Sequence, residues 1–345
     1  MLETPPVPGP PAVSVIVPAR NEEACLGACL QSLVSQKGLS FEITVVNDGS
    51  SDRTGDIARS FRGVRVIESG SLPPGWTGKN SALITGAREA RGPWLLFTDA
   101  DTVHLTGSLA RAVAEAERQG AALLSYSPAQ EVHGFWETAV MPVIFAELAA
   151  TYPPSRVSDP DSSVAAANGQ YLLISRAAYD AVGGHAAVAS SLLEDVALAR
   201  AVKASGRKIL FRFGGDAVRT RMYRTFPQLK EGWTKNLVLL FPSAGRLALW
   251  RLLEFVLNLA CVVLLASAVG NRDWGRALLY LAVPVVTVGR VSRAHFPWSA
   301  TILAVFGLPI FSYLLLRSKV VHRRGKVSWK GRSYGEGRTT TVPVP

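Results

Sequence analysis

The sequence predicts an α/β domain with a mostly parallel sheet, followed by helices that span a membrane. Within the first hundred residues, short β-branched runs alternate with segments of helical spacing, which is typical of parallel strands joined by crossover helices. Beyond residue 242, long apolar runs lie between basic residues. A chain of 345 residues, 48% of them hydrophobic, is long enough for both parts.

Four strands and three helices are predicted in the first hundred residues. The strands are 13–19, 41–48, 64–69 and 93–101, and the helices are 21–36, 53–62 and 80–90. In such sheets, ligands bind at the carboxyl ends of the strands. Asp48 ends the second strand, and Asp99 and Asp101 end the fourth. This edge of the sheet is therefore the predicted site.

The next hundred residues have a mixed pattern. They predict a helix over 108–120, an apolar stretch over 135–152 that Pro142 interrupts, a strand and short helix over 169–184, and a helix and strand over 190–213. The last of these helices carries Glu194 and Asp195 in its first turn.

Three apolar runs follow, at 255–270, 277–289 and 294–316. A helix that crosses a bilayer needs about 20 apolar residues. The third run is long enough, the first qualifies if its preceding turns extend it, and the second could be re-entrant or interfacial. A very apolar soluble domain is the alternative, although three such runs with basic flanks are difficult to solvate.

The positive charge lies in the same part of the chain as the apolar runs. Residues 243–345 hold 14 Lys or Arg against 3 Asp or Glu, which accounts for the whole net charge of +11. Basic residues beside apolar runs indicate anionic lipid headgroups. No nucleic-acid partner is expected, because the preceding domain has no excess of basic residues.

This composition divides the chain into four parts. We expect a Pro-rich disordered segment (1–12), the α/β domain (13–242), membrane helices (243–317) and a basic cytoplasmic tail (318–345).

Two pairs of acidic residues are the candidates for cation binding and proton transfer. Asp99 and Asp101 are two positions apart and would share one face of a strand, where carboxylates could hold a divalent cation. Glu194 and Asp195 could supply a base that takes a proton from an acceptor hydroxyl. The alternatives are a turn or capping role for the first pair and a helix-dipole role for the second.

Several spaced motifs carry a resemblance to a known family: VSVIVPARNEE, ITVVNDGSSDRT, GKNSAL, LLFTDAD and LLEDVALA. Over about residues 13–240 the chain resembles the family 2 glycosyltransferases, which have the nucleotide-sugar-binding GT-A fold. LPPGWTGKN (72–80) and GKVSWKGRSY (325–334) look like the membrane-bound branch that glycosylates lipids. That branch includes ceramide glucosyltransferases, carotenoid glycosyltransferases and hopanoid-associated transferases.

The resemblance implies roles at the donor end of the site. Asp101 would be the direct ligand of Mn²⁺ or Mg²⁺, Asp99 would lie nearer the ribose, and Asp48 would accept a hydrogen bond from the uracil N3–H. The residues at the end of the first strand and just after it would border the base: Pro18, Ala19, Arg20 and Glu22. Lys79 could meet the diphosphate as a point charge, with a solvated loop lysine as the alternative.

At the acceptor end, the resemblance assigns Asp195 as the base of an inverting transfer, with Glu194 beside it. It implies transfer of a sugar from a nucleotide-sugar, expected to be UDP-linked, to the hydroxyl of a carotenoid, hopanoid or sphingolipid-like acceptor. A polyprenyl-phosphate glycosyltransferase and an inactive nucleotide-binding membrane protein are the alternatives.

The family motif Q-x-x-R-W is altered in this sequence. Gln228 is followed by Trp233 one position late, and Gly232 stands where Arg is expected. Lys230 or Lys235 could supply the missing cation. Trp233 could serve the acceptor or anchor the membrane interface, and the change argues against a processive polysaccharide synthase.

The expected location is the cytoplasmic face of the inner membrane, with the chain crossing it more than once. Segments 135–152 and 226–250 would line the route of the acceptor, with a buried core helix as the alternative for 135–152. Basic juxtamembrane segments favour the cytoplasm, so we expect the tail there, close to the catalytic mouth. Because 277–289 is the shortest apolar run, we expect it not to cross completely.

Overall fold

The computed structural model describes residues 10–334. The expectations for residues 1–9 and 335–345 lie outside the described residues. Disorder is wrong for residues 10–12, because Pro11 is buried and the Ala12 N–H donates to Ser40 O at 2.9 Å.

The strands of the described chain form one large and two small sheets. In chain order they are β1 (Val13–Ala19), β2 (Phe41–Asn47), β3 (Val64–Glu68), β4 (Trp94–Phe97), β5 (Thr102–His104), β6 (Leu123–Ser127), β7 (Ala129–Gln130), β8 (Leu172–Ser175), β9 (Ile209–Phe213), β10 (Val218–Thr220), β11 (Val327–Trp329) and β12 (Arg332–Tyr334).

The central sheet has seven strands in the order β3-β2-β1-β4-β8-β6-β9. The four strands predicted at the start of the chain pair in parallel, which confirms that prediction. β8 runs antiparallel to both β4 and β6. Because β1, β2 and β4 are parallel, their carboxyl ends meet at one edge, where the polar residues of the sequence motifs collect.

Helices cover both faces of this sheet and continue beyond it. They are α1 (Leu26–Val34), α2 (Thr54–Ser60), α3 (Gly78–Glu89), α4 (Ser108–Gln119), α5 (Phe135–Thr151), α6 (Pro154–Ser158), α7 (Arg176–Ala181), α8 (Gly184–Ala187), α9 (Glu194–Ala204), α10 (Phe226–Leu240), α11 (Ala244–Gly270), α12 (Trp274–Val291) and α13 (Trp298–Arg323).

Alternate side chains of the strands face two hydrophobic cores. Val15 and Val17 belong to the core under α1 and α4, whereas Ile16 belongs to the core formed with α5, α10 and α13. This period of two is what a sheet covered on both faces requires.

Two helices differ from their predicted limits. α1 begins at Leu26 rather than at 21, because the preceding residues form a turn with Asn21 at φ 53°. Pro142 lies inside α5 without interrupting it. A proline inside a helix costs about 3 kcal/mol, but its neighbours Val143 and Ile144 are fully buried, and this packing offsets the cost.

Among residues 10–334, three helices are long and apolar enough to cross a membrane: α11, α12 and α13. α12 has 18 residues and so exceeds the apolar run 277–289. The Asp273 side chain caps it by accepting from the Arg276 N–H at 3.1 Å. α13 continues to Arg323, past the predicted boundary at 317.

The last helix packs along the α/β domain instead of leaving it. Leu308, Phe311 and Leu315 of α13 are fully buried in the core that contains α5 and α10. A Cβ at Gly307 would collide with the Ala139 carbonyl of α5, so glycine permits this close approach.

Both ends of α13 contact the catalytic domain. Just before the helix, His295 stacks on Phe213 of β9 at 4.3 Å between ring centroids. Near its other end, His322 Nε2 lies 2.8 Å from the Lys235 carbonyl of α10. The chain is therefore held against the same domain at both ends of this helix.

A cluster of four charged residues joins α11 and α12 to α5. Arg251 Nε lies 3.0 Å from Glu147 Oε1, and Arg290 Nη2 lies 3.0 Å from Glu254 Oε1. Beyond this cluster, toward the connection between α11 and α12, the apolar side chains are largely exposed; Val263 is 62% and Val286 is 70% exposed. Such a surface is suited to contact with lipid.

Candidate active site

Asp99 and Asp101 lie in a loop after β4 and not on a strand. Pairing of β4 stops at Phe97, and the chain then turns, with the Thr102 hydroxyl donating to Asp99 O at 2.7 Å. The predicted strand over 93–101 is therefore too long, and the two carboxylates do not share a strand face. The Thr98 hydroxyl, which donates to Gln170 O at 2.7 Å, fixes the start of this turn.

Lys79 joins the two acidic pairs. Its Nζ lies 2.7 Å from Asp99 Oδ1 and 2.8 Å from Glu194 Oε1. Burial lowers the pKa of Lys79, but the charges of Asp99 and Glu194 outweigh burial and raise that pKa well above its ordinary value. Lys79 stands in the first turn of α3, which Thr77 caps by accepting from the Asn80 N–H at 3.2 Å.

Glu194 and Asp195 begin α9 and differ in environment. Asp195 accepts from the N–H groups of Gly169 and Val196, both at 2.8 Å. Burial, and then the charge of Glu194, raise the pKa of Asp195 to about 6. Burial also acts to raise the pKa of Glu194, but Lys79 outweighs it and that pKa lies below its ordinary value. Asp195 thus has the pKa of a group that can accept a proton near neutrality.

Asp101 has the features of a cation ligand. Its Oδ1 is buried and finds no hydrogen-bond partner among residues 10–334. Burial, and then the charges of Asp99 and Glu22, raise the pKa of Asp101. An unpartnered carboxylate oxygen under repulsion from other acids fits a hard divalent cation.

A cation at Asp101 would need oxygen atoms from a bound ligand as well. In the described part of the chain, no three His, Cys, Asp or Glu side chains cluster so as to hold a metal by themselves. The phosphate oxygens of a nucleotide are suitable additional ligands.

The residues predicted to border a nucleobase also lie together. Pro18 and Ala19 end β1, beside the end of β2. Arg20 Nη1 donates to Asp48 O at 2.6 Å, and the Asp48 side chain, which is buried, accepts from the Ser69 hydroxyl at 3.0 Å. A buried carboxylate therefore lies beside the end of β1, among the residues that the resemblance assigned to the nucleobase.

The C-terminal hairpin β11–β12 packs against these residues. Arg332 places both guanidinium nitrogens on the Asp48 carboxylate, with Nη2 to Oδ1 at 2.9 Å. Lys330 pairs with Glu22 and donates to Arg20 O at 3.1 Å. The sequence prediction missed both cations, although their basic motif was noted, because a run of charge does not reveal which acids it will meet.

A cavity of about 290 Å³ begins at the acidic pairs and extends between α5 and α10. Asp99, Asp195 and Asn168 line its polar part, and Arg293 and His295 contribute from the connection between α12 and α13. Its walls are apolar and comprise Phe145, Leu148, Tyr152, Phe211, Trp233 and Leu240. Segments 135–152 and 226–250 therefore do border a channel beside the acids.

Comparison with known proteins identifies the family. The model of "Glycosyl transferase family 2" matches residues 14–181. A 4,4'-diaponeurosporenoate glycosyltransferase of Staphylococcus aureus (strain MRSA252) is 30% identical over 342 residues, covering 94% of this chain and 88% of that protein. This chain belongs to glycosyl transferase family 2. The protein of the same name from strain USA300 is 29% identical over the same shares of each chain.

The fold of this family 2 glycosyltransferase is also similar to a solved structure. The mannosyltransferase PcManGT from Pyrobaculum calidifontis, in complex with GDP-Man and Mn²⁺, superposes with a TM-score of 0.54 at 17% identity. The match covers 92% of this chain and 88% of that one. The likeness confirms the GT-A fold predicted from the motifs.

The altered Q-x-x-R-W segment of the transferase forms part of α10. Trp233 is 2% exposed and donates from Nε1 to Met141 Sδ at 3.4 Å, so an interfacial anchor is wrong. Gln228 is exposed and accepts from the Arg224 N–H at 2.9 Å, outside the cavity. Lys235 lies over the Trp329 ring of the hairpin at 5.3 Å and is close enough to Glu194 to affect its pKa.

We expect the Lys79→Met variant to be less stable than the wild-type transferase by about 1–3 kcal/mol, because it leaves the buried Glu194 carboxylate without its partner. Lys79 is 34% exposed, so the loss should fall below that of a fully buried pair. The double variant Lys79→Met/Glu194→Gln should recover at least half of the loss. Thermal unfolding of the detergent-solubilised protein measures both changes.

Lys37→Met, which removes an exposed lysine, is the matched control and should unfold as the wild type does. Strictly additive losses in the double variant would contradict the pairing of Lys79 with Glu194.

Proposed function

We propose that this enzyme transfers a sugar, with inversion, from a nucleotide-sugar to the hydroxyl of an apolar membrane lipid. The cavity that starts at Asp195 and has apolar walls carries the proposal. A polar sugar acceptor would gain little from walls of Phe145, Leu148 and Trp233, whereas a lipid chain is held by such surfaces.

The relatives and the site support each half of this reaction. The Staphylococcus aureus relative is named for 4,4'-diaponeurosporenoate, an apolar carboxylate, which supports a carotenoid-like chain in the acceptor but not its hydroxyl. The buried Asp48 carboxylate supports a donor whose base offers an N–H, such as UDP-linked sugar. The mannosyltransferase of similar fold was solved with GDP-Man, another nucleotide-sugar.

Asp101 would hold Mn²⁺ or Mg²⁺ together with the donor phosphates, and Asp99 would stand beside it. Such a cation would neutralise charge on the departing diphosphate. The unpartnered Oδ1 of Asp101 supports this role, and Lys79, at 2.7 Å from Asp99, would add a fixed positive charge nearby.

Removal of divalent metal with EDTA should abolish transfer, and added Mn²⁺ or Mg²⁺ should restore it. Asp101→Asn should reduce turnover by at least about 10²-fold, the scale of losing one preorganised electrostatic contact. Transfer of labelled sugar into extracted lipid measures both effects. Asp161→Asn, an exposed loop acid, is the control, and full activity in EDTA would remove the metal from the proposal.

Asp195 would act as the base of the transfer. It would take the acceptor hydroxyl proton while that oxygen bonds to the anomeric carbon and the bond from this carbon to the diphosphate breaks. The N–H groups of Gly169 and Val196 hold its carboxylate in place. Attack opposite to the leaving group inverts the anomeric centre, so an α-linked donor would give a β-linked product.

Asp195→Asn should lower turnover by about 10²–10⁴-fold, the usual contribution of a general base. In the wild type, turnover should fall about tenfold per pH unit below about 6, because burial and Glu194 raise the pKa of Asp195 to about 6 and only the ionised form accepts a proton. A pH profile of lipid glycosylation, with Asp180→Asn as an exposed control, measures this.

The same variant separates the acceptor classes. A phosphate or carboxylate acceptor carries no proton that needs a base, so near-normal turnover of Asp195→Asn would favour such an acceptor over a hydroxyl. UDP binding without any sugar release in the wild type would indicate an inactive nucleotide-binding protein. An α-linked product, found by NMR of the anomeric coupling, would contradict inversion.

We further propose that α11 and α12 cross the membrane as a hairpin and that α13 lies against the catalytic domain, which replaces the expectation that 277–289 does not cross completely. α12 spans about 27 Å of helix at 1.5 Å per residue, close to the ~30 Å hydrocarbon core. The Arg272–Arg276 segment at the tip carries charges that favour the far headgroups. Because both ends of α13 contact the domain, tail and domain would share the cytoplasmic side.

In a variant without the three native cysteines, a single cysteine at Ser333 should not react with a membrane-impermeant maleimide in intact cells. It should react after permeabilisation, since Ser333 is exposed. A cysteine at Asn271 in the tip should react before permeabilisation. Labelling of Ser333 in intact cells would place the tail outside, and protection of Asn271 would contradict the crossing hairpin.

A further inference from the structure

The C-terminal hairpin β11–β12 lies in the cleft that a donor nucleobase would enter. Arg332 forms a two-pronged pair with Asp48, and Lys330 pairs with Glu22. These acids follow β2 and β1 and are far from the hairpin in sequence. The contacts therefore arise from the fold and not from local chain geometry.

The space that the Arg332 guanidinium fills depends on a glycine beside it. A Cβ on Gly78, the first residue of α3, would collide with the guanidinium, so the missing side chain leaves the space that the arginine fills. Asp48 Oδ1 accepts from Arg332 Nη2 at 2.9 Å and from the Ser69 hydroxyl at 3.0 Å, while Oδ2 accepts from Arg332 Nη1. Both carboxylate oxygens are thus engaged.

A nucleobase cannot pair with Asp48 while Arg332 holds both oxygens of its carboxylate. We propose that the hairpin is a latch over the donor site, which a nucleotide must displace from Asp48 before it binds. This inference rests on the proposed nucleotide-sugar donor. It assigns Arg332 and Lys330 as residues that set donor affinity, with a nucleoside diphosphate as the competing ligand.

The forces that hold the hairpin suit a latch that opens. Isolated two-stranded hairpins are marginally stable, and among its residues only Val327 is buried in the structure. Trp329 of β11 also packs against the core, with Lys235 over its ring at 5.3 Å, whereas the turn and β12 are held by the two ion pairs of Lys330 and Arg332. Loss of the Arg332 pair would therefore release most of β12 without disturbing a hydrophobic core.

Isothermal titration of the full-length protein in detergent with UDP and Mn²⁺ tests the latch. Arg332→Ala should bind UDP about tenfold more tightly than the wild type, a gain of about 1.4 kcal/mol, because the nucleotide no longer competes with the arginine. Lys330→Ala should show a smaller gain in the same direction. Arg324→Ala, an exposed cation at the end of α13, is the matched control and should bind as the wild type does.

Hydrogen exchange of the wild type supplies a second measurement that needs no variant. On addition of UDP and Mn²⁺, the backbone amides of 327–334 should exchange faster, because the hairpin leaves the cleft. Slower exchange would show that the hairpin closes over the nucleotide, which overturns the latch.

The titration outcomes separate the latch from the proposed function. Equal or weaker UDP binding by Arg332→Ala overturns the latch and leaves the nucleotide donor standing. Absence of UDP binding in the wild type and in both hairpin variants overturns the donor and the latch together. Binding by the variant alone supports the latch most directly.

Discussion

The ammonium group of Lys79 is the interaction on which the site depends. It lies between Asp99 from the loop after β4 and Glu194 from the first turn of α9. Without a cation there, four carboxylates at one edge of the sheet would repel one another at short range. Its charge keeps Glu194 ionised, and the ionised Glu194 in turn raises the pKa of Asp195. Lys79 therefore couples the proposed donor end of the site, at Asp99, to the proposed acceptor end, at Glu194 and Asp195.

The packing of α13 on α5 and α10 connects the cavity at Asp195 to the helices that we propose to cross the membrane. The helices that bury α13 also form walls of the cavity at Asp195. A lipid that enters beside the connection between α12 and α13 would meet apolar surface along the whole path to the acids. The close approach at Gly307 fixes α13 relative to that path, and the charged cluster around Glu147 fixes α11 and α12.

The basic tail contains two sets of cations, one suited to lipid headgroups and the other paired with acids of the protein. Its exposed cations, such as Arg323 and Arg324, are suited to anionic headgroups, whereas Lys330 and Arg332 pair with acids of the catalytic domain. A membrane-side tail and a donor-side hairpin are thus parts of one segment. In the proposed latch, a nucleotide that binds Asp48 displaces the hairpin and so moves the tail.

The sequence by itself determined that the first four strands are parallel, and it determined the family. It also named the acidic residues of the candidate site. Alternation and motif spacing are local properties of the chain, so the sequence alone reveals them. It placed Asp99 and Asp101 on a strand, which was wrong because the limits of strand pairing depend on neighbouring strands, and it left the role of Trp233 open between the acceptor and the membrane interface until burial excluded the interface. Only the tertiary structure decided that Lys79 joins Asp99 to Glu194 and that Arg332 meets Asp48. Such pairs join residues far apart in the chain, and no local pattern encodes which distant charges the packing of the core brings together.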